Sequence, residues 1–139
     1  MRLSIRPRHV PGRVTTGAFI LNSGLEKWGA AEEAAQGYHG MAVGAFPFLE
    51  KVPPARFLRL LSITEIVVGS VVLAPFVPSA VAGAALTGFS GGLVGLYLRA
   101  PGLRKPGSIF PTQSGVPIFK DFWMLGIGLN LIADAIEHR

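Results

Sequence analysis

The feature that most constrains this chain is an apolar run of 39 residues, from Leu60 to Leu98, that contains one charged side chain, Glu65. The segment Pro75-Phe76-Val77-Pro78-Ser79 divides the run and predicts a break between two helices, over residues 55–76 and 79–98. Each helix has about 20 residues, the length that crosses the roughly 30 Å hydrocarbon core of a bilayer. We therefore expect an integral membrane protein with the lipid bilayer as its surroundings.

The composition agrees with a membrane location. Half of the residues (50%) are hydrophobic and only 15% are charged, whereas soluble domains carry about 25% charged residues. The net charge of +5 lies mostly outside the apolar runs, so we assign it to lipid headgroups and membrane orientation rather than to nucleic acid. The absence of cysteine excludes disulfides, thiolate metal sites and dithiol redox chemistry within this chain.

Two more helices complete the predicted architecture, over residues 13–31 and 118–136, with an interfacial or re-entrant segment at 32–53. The expected fold is all-α, a four-helix membrane bundle that forms one domain over residues 1–139. The basic N-terminus precedes an apolar stretch but no small-residue cleavage site follows, so we expect the first helix to stay uncleaved. The arginines before this helix favour cytoplasmic termini.

Glu65 is the residue that most needs an explanation, because a carboxylate near the centre of a span costs about 2.5–3.5 kcal/mol. Its candidate partners are Lys27 on the first helix and Arg59 on its own helix. Two hypotheses stay open. Glu65 is a structural residue paired with Lys27 or hydrogen-bonded to a neighbouring helix, or it lines a ligand or proton site.

Three other polar residues within the helices are candidates for buried or ligand-binding positions: Asn22, Asp121 and Asn130. Lys120 and Asp121 are adjacent, so on one helix they point in different directions. We expect Lys120 to extend to the membrane interface and Asp121 to find another donor.

Small residues on the third helix predict close helix packing. They recur every four residues, at Ala80, Ala84, Gly88 and Gly92, and so form one stripe along a helix. The stripe packs either within the bundle or against a second copy of the chain.

No pattern in the sequence indicates a catalytic residue, a metal site or a cofactor. His9, His39 and His138 are widely separated, and the sequence shows no phosphate-binding loop and no Ser-His-Asp arrangement. A non-catalytic role is therefore favoured over an enzyme.

Two short motifs carry a family resemblance. Asn22-Ser23-Gly24-Leu25-Glu26-Lys27 on the first helix and Thr64-Glu65-Ile66-Val67-Val68-Gly69 on the second are similar to elements of the DoxX-like family, which also resembles MauE. The resemblance implies a multi-pass protein of a prokaryotic-type plasma membrane, an accessory or anchoring subunit of a quinone-linked redox complex. It also implies that Lys27 and Glu65 pair inside the bundle, with Gly24 and Gly69 permitting close approach.

A second function hypothesis belongs to another class. In it the protein binds or transports a small molecule, and Glu65 and Lys27 contact a quinone, a lipid or a proton. Association with other membrane subunits distinguishes the first hypothesis, and a retained ligand distinguishes the second.

Overall fold

The computed structural model describes residues 6–29, 32–100, 102–113 and 115–137, and within these ranges the chain is helical with no strand. An isolated bridge joins Arg104 and Pro111 in the loop before the last helices. The helices are α1 (Val10–Trp28), α2 (Glu32–Ala45), α3 (Pro54–Leu73), α4 (Ser79–Arg99), α5 (Val116–Phe119) and α6 (Asp121–Glu137). The all-α prediction is confirmed.

One predicted boundary is wrong for an identifiable reason. Helix α1 begins at Val10 rather than at residue 13, because a proline such as Pro11 is tolerated in the first turn, where its missing N–H is not needed. The segment 32–53 forms α2 and then a 3₁₀ turn, Pro47–Lys51, and its interfacial or re-entrant position stays a prediction. Gly37 and Gly40 lie on the exposed side of α2, where they weaken the helix without breaking it.

The predicted last helix is divided in two by a turn at Lys120, which separates α5 from α6. Lys120 and Asp121 therefore do not belong to one continuous helix. This local break decides where their side chains can meet.

Helices α1 and α3 form an antiparallel pair that depends on glycine. A Cβ atom on Gly69 would lie 2.6 Å from the backbone nitrogen of Leu21, and one on Gly24 would lie 2.9 Å from the carbonyl oxygen of Ser62. The Ser62 hydroxyl donates to the Gly24 carbonyl at 2.6 Å and ties the two backbones together. The predicted close approach at Gly24 and Gly69 is confirmed.

Helices α4 and α6 form the second antiparallel pair. The prediction that the small-residue stripe of α4 packs within the bundle is wrong, because other residues make this contact. The close contact is made by Gly83, Thr87 and Gly128, where a Cβ on Gly128 would lie 2.5 Å from the Thr87 hydroxyl oxygen. The four stripe residues are all exposed: Ala80, Ala84, Gly88 and Gly92. Consecutive helical positions are about 100° apart, so a shift of one residue moves the contact to another face. Self-association through the stripe stays a prediction.

Helix α4 is the element with the composition of a membrane span. Among the described helices it alone is long and apolar enough to cross a membrane, and only 33% of its most apolar stretch is buried inside the molecule. Helix α3 carries Arg56, Arg59 and Glu65, and α6 has 17 residues. The further crossings stay a prediction.

Candidate functional site

A cavity of about 390 Å³ lies between the two helix pairs and is closed on one side by α2. Its walls are mainly apolar and aromatic, with contributions from every α-helix described above. Six polar residues also line it: Ser23, Lys27, Tyr38, Glu65, Lys120 and Asp121. Two of the lining residues also reach the outer surface, since Phe19 and Tyr38 are 50% and 41% exposed.

The first polar element of the cavity is the Lys27–Glu65 ion pair. The Lys27 Nζ lies 3.0 Å from Glu65 Oε1 and 3.1 Å from Oε2, and it donates to the Ser23 hydroxyl at 2.5 Å. The antiparallel crossing of α1 and α3 brings these residues together from positions 38 apart in sequence. The predicted contact is therefore present. Arg59, the other candidate cation, instead stacks on Trp28 with its guanidinium carbon 4.8 Å from the ring centroid.

The second polar element is the Lys120–Asp121 pair, which corrects the expectation that Asp121 finds a different donor. The Lys120 Nζ lies 2.8 Å from Asp121 Oδ2. Adjacent residues can meet here because the turn at Lys120 interrupts the helix. Asp121 is fully buried, and the buried Ser90 hydroxyl faces its carboxylate as a second donor.

The lysines are more accessible than the carboxylates that they neutralise. The side chains of Lys27 and Lys120 are 11% and 22% exposed, against 6% for Glu65 and 0% for Asp121. Each ammonium also lies over an aromatic ring, Lys27 at 5.1 Å from the centroid of Tyr38 and Lys120 at 5.3 Å from that of Phe19. In each ion pair the more exposed partner is therefore the hydrogen-bond donor.

Two of the predicted buried polar candidates lie outside the cavity. Asn22 and Asn130 are both exposed, and the Asn22 amide donates to Glu26 at 3.3 Å. Both lie on outward faces of their helices: the next buried residue is Gly24, two positions after Asn22 on α1, and Leu131, one position after Asn130 on α6. Their assignment as buried ligand candidates is wrong.

Sequence reasoning missed a second polar cluster, centred on Arg13. This residue is fully buried, and its guanidinium donates to the carbonyl oxygens of Val72, Ala74 and Val77 at 2.8, 2.9 and 3.0 Å. The last carbonyls of a helix have no partner within it, so Arg13 satisfies the end of α3 and the following turn. The sequence feature that could have indicated this role of Arg13 is the proline break after α3, because it leaves carbonyl groups without helix partners in apolar surroundings.

A Ser-His-Asp chain lies beside Arg13, contrary to the prediction that no such arrangement exists. His9 Nδ1 is 2.8 Å from Ser79 Oγ, and His9 Nε2 is 2.6 Å from Asp134 Oδ2. Arg8 also pairs with Asp134 at 2.8 Å. Ser79 and His9 are buried at 7% and 5% exposure, and the cluster does not line the cavity. It joins the start of α1 to the first residue of α4 and to the last turns of α6.

Comparisons with models of protein families, with curated proteins and with solved structures find no match for this chain. The resemblance to the DoxX-like family stays a prediction.

Proposed function

We propose that the protein is embedded in a membrane and binds an amphipathic small molecule, a lipid or a quinone, in the cavity between its helices. The observation that carries this proposal is the combination of an apolar cavity with two lysine–carboxylate pairs in its wall. Its volume, about 390 Å³, falls in the range of ligand pockets, roughly 300–1,000 Å³, and such sites combine apolar walls with a few placed polar groups.

The outer surface supports the membrane location. Large apolar side chains are exposed on α1, α3, α4 and α6, among them Leu25 at 57%, Val67 at 54%, Val81 at 53% and Leu129 at 50%. Soluble monomers rarely expose contiguous apolar patches beyond a few hundred Å². In a bilayer the same surface meets lipid, and helices satisfy their own backbone hydrogen bonds there.

The buried charges support a binding role. Each buried ion pair carries a desolvation cost that its attraction does not regularly offset, so such pairs are weak contributors to stability. Ionisable residues inside membrane helices commonly face a cavity or a pathway. Two pairs in the wall of one cavity therefore favour a site that holds the polar end of a ligand.

Native mass spectrometry of the detergent-purified full chain tests this proposal with two probes, methyl laurate and decyl-ubiquinone. The cavity-filling variant is Ala42→Phe, because Ala42 is buried and lines the cavity. The matched control is Ala84→Phe, because Ala84 is exposed on α4 and is not part of the lining. We expect a saturable 1:1 adduct with at least one probe in the wild type and in the control, and its loss in Ala42→Phe.

Two results contradict the proposal. One is that neither probe binds saturably to the wild type. The other is equal binding by the wild type and by Ala42→Phe, which would place the ligand on the outer surface.

A second candidate is the accessory subunit of a membrane-bound redox complex, and one observation favours it. The exposed small-residue stripe of α4 leaves a surface on which a helix of another subunit can pack closely. Purification of the tagged protein in mild detergent tests it. Redox subunits that co-purify in a fixed ratio with the wild type, and no longer co-purify with Gly88→Ile, support this role. A wild-type chain that purifies alone opposes it.

A further inference from the structure

Among the four charged side chains that line the cavity, that of Lys120 is the most exposed. Its side chain is 22% exposed, twice the value for Lys27. Its ammonium has three donor hydrogens, and among the described residues its hydrogen-bond acceptor is Asp121 Oδ2. Lys27, by contrast, donates both to Ser23 and to Glu65. Lys120 therefore has the greater capacity to donate to a molecule that enters the cavity.

We infer that Lys120 is the specificity-determining residue of the cavity and that the ligand is an amphiphile with a carboxylate head. This inference rests on the proposed function and names the class of its ligand. The head accepts hydrogen bonds from the Lys120 ammonium, and the apolar chain lies against the apolar walls of the cavity.

The local charge favours an anion over a neutral head. Lys120 and Lys27 are balanced by Asp121 and Glu65 in the cavity wall, and Lys120 directly precedes α6, a helix of 17 residues. The N-terminus of such a helix carries a partial positive charge of roughly half a unit. The more accessible partner in each ion pair is the lysine, so an entering head group meets ammonium before carboxylate.

A medium-chain amphiphile suits the size of the cavity. The cavity volume, about 390 Å³, lies near the lower end of the range for ligand pockets, roughly 300–1,000 Å³. Laurate is therefore the matched probe, and its methyl ester keeps the chain and the carbonyl oxygen but removes the charge.

The test measures the dissociation constants of laurate and methyl laurate for the full chain in lipid nanodiscs. The variants are Lys120→Gln, Asp121→Asn and the double Lys120→Gln/Asp121→Asn. Lys105→Gln is the control, because Lys105 is exposed and does not line the cavity. Circular dichroism and unfolding temperature check that each variant folds.

We expect laurate to bind the wild type about ten-fold or more tightly than methyl laurate, the difference that one charge-assisted hydrogen bond supplies. Lys120→Gln removes this preference and Lys105→Gln keeps it. Asp121→Asn releases Lys120 from its counter-ion and tightens laurate binding several-fold, a gain that a merely structural role for Lys120 does not produce. The double variant binds laurate as weakly as Lys120→Gln does.

Three results overturn the inference while the proposed function stands. They are equal affinities for laurate and its ester, an unchanged preference in Lys120→Gln, and recovery of wild-type laurate affinity in the double variant. The last would mean that the uncompensated Asp121 carboxylate, rather than the lost ammonium, weakened binding. If neither laurate nor the ester binds saturably but decyl-ubiquinone does, the inference fails alone; if none of the three binds, the proposed function fails with it.

Discussion

Replacement of one member of the Lys27–Glu65 pair should destabilise the protein far more than replacement of both. The two side chains are 11% and 6% exposed, so Glu65→Leu leaves a nearly buried ammonium with Ser23 as its remaining hydrogen-bond acceptor among the described contacts. An uncompensated buried charge costs about 3–5 kcal/mol, whereas apolar replacement of a whole buried pair is often neutral or stabilising. We therefore expect each single variant, Glu65→Leu or Lys27→Met, to lose about 3 kcal/mol or more.

Denaturant unfolding in mild detergent, followed by circular dichroism, measures these free energies as a double-mutant cycle. The double variant Lys27→Met/Glu65→Leu should lie within about 1 kcal/mol of the wild type or above it. Asn22→Ala is the control, because Asn22 is exposed and such changes stay within about 0.5 kcal/mol. Single variants that cost less than about 1 kcal/mol, or a double variant whose loss equals the sum of the singles, would refute the reasoning.

Four other variants test the packing. Arg13→Met removes the donors to the end of α3 and should cost about 3 kcal/mol or more in the same assay; a loss below about 1 kcal/mol contradicts this role. Gly69→Ala places a methyl group 2.6 Å from the Leu21 nitrogen and should cost about 1–3 kcal/mol. The new methyl group in Gly88→Ala has no atom within 4 Å, so this variant should be neutral or stabilising by up to about 1 kcal/mol. If Gly88→Ala destabilises the protein more than Gly69→Ala does, the packing of Gly69 and the exposure of Gly88 are wrong. Gly88→Ile should keep the fold and abolish any crosslinked dimer, and a dimer that persists excludes the stripe as its interface.

The α1–α3 pair was predictable from the sequence because its constraints are strong. A lone carboxylate in an apolar helix needs a cation, and few cations lie within the helices. Gly24 lies three residues before Lys27 and Gly69 lies four residues after Glu65, so the close approach and the ion pair follow from the same crossing.

The contacts of α4 and α6 were not predictable in the same way. Helix α4 is apolar on every side, so hydrophobicity does not distinguish its buried face, and small residues stand on two neighbouring faces, at Gly83 and at Ala84. The pairing of Lys120 with Asp121 depends on a turn that local sequence does not mark. In the sequence, Ser79 is 70 residues and Asp134 is 125 residues from His9, and only the tertiary fold brings the three together.

The most direct test of the central claim is photocrosslinking of a diazirine-labelled laurate to the full chain in nanodiscs, with the adducts mapped by mass spectrometry. If laurate binds in the cavity, we expect adducts on residues of the cavity wall such as Leu61 and Leu93, and we expect these adducts to disappear when unlabelled laurate is added in excess. Adducts confined to the outer surface, at residues such as Val81 and Leu129, and unchanged by the competitor would contradict it.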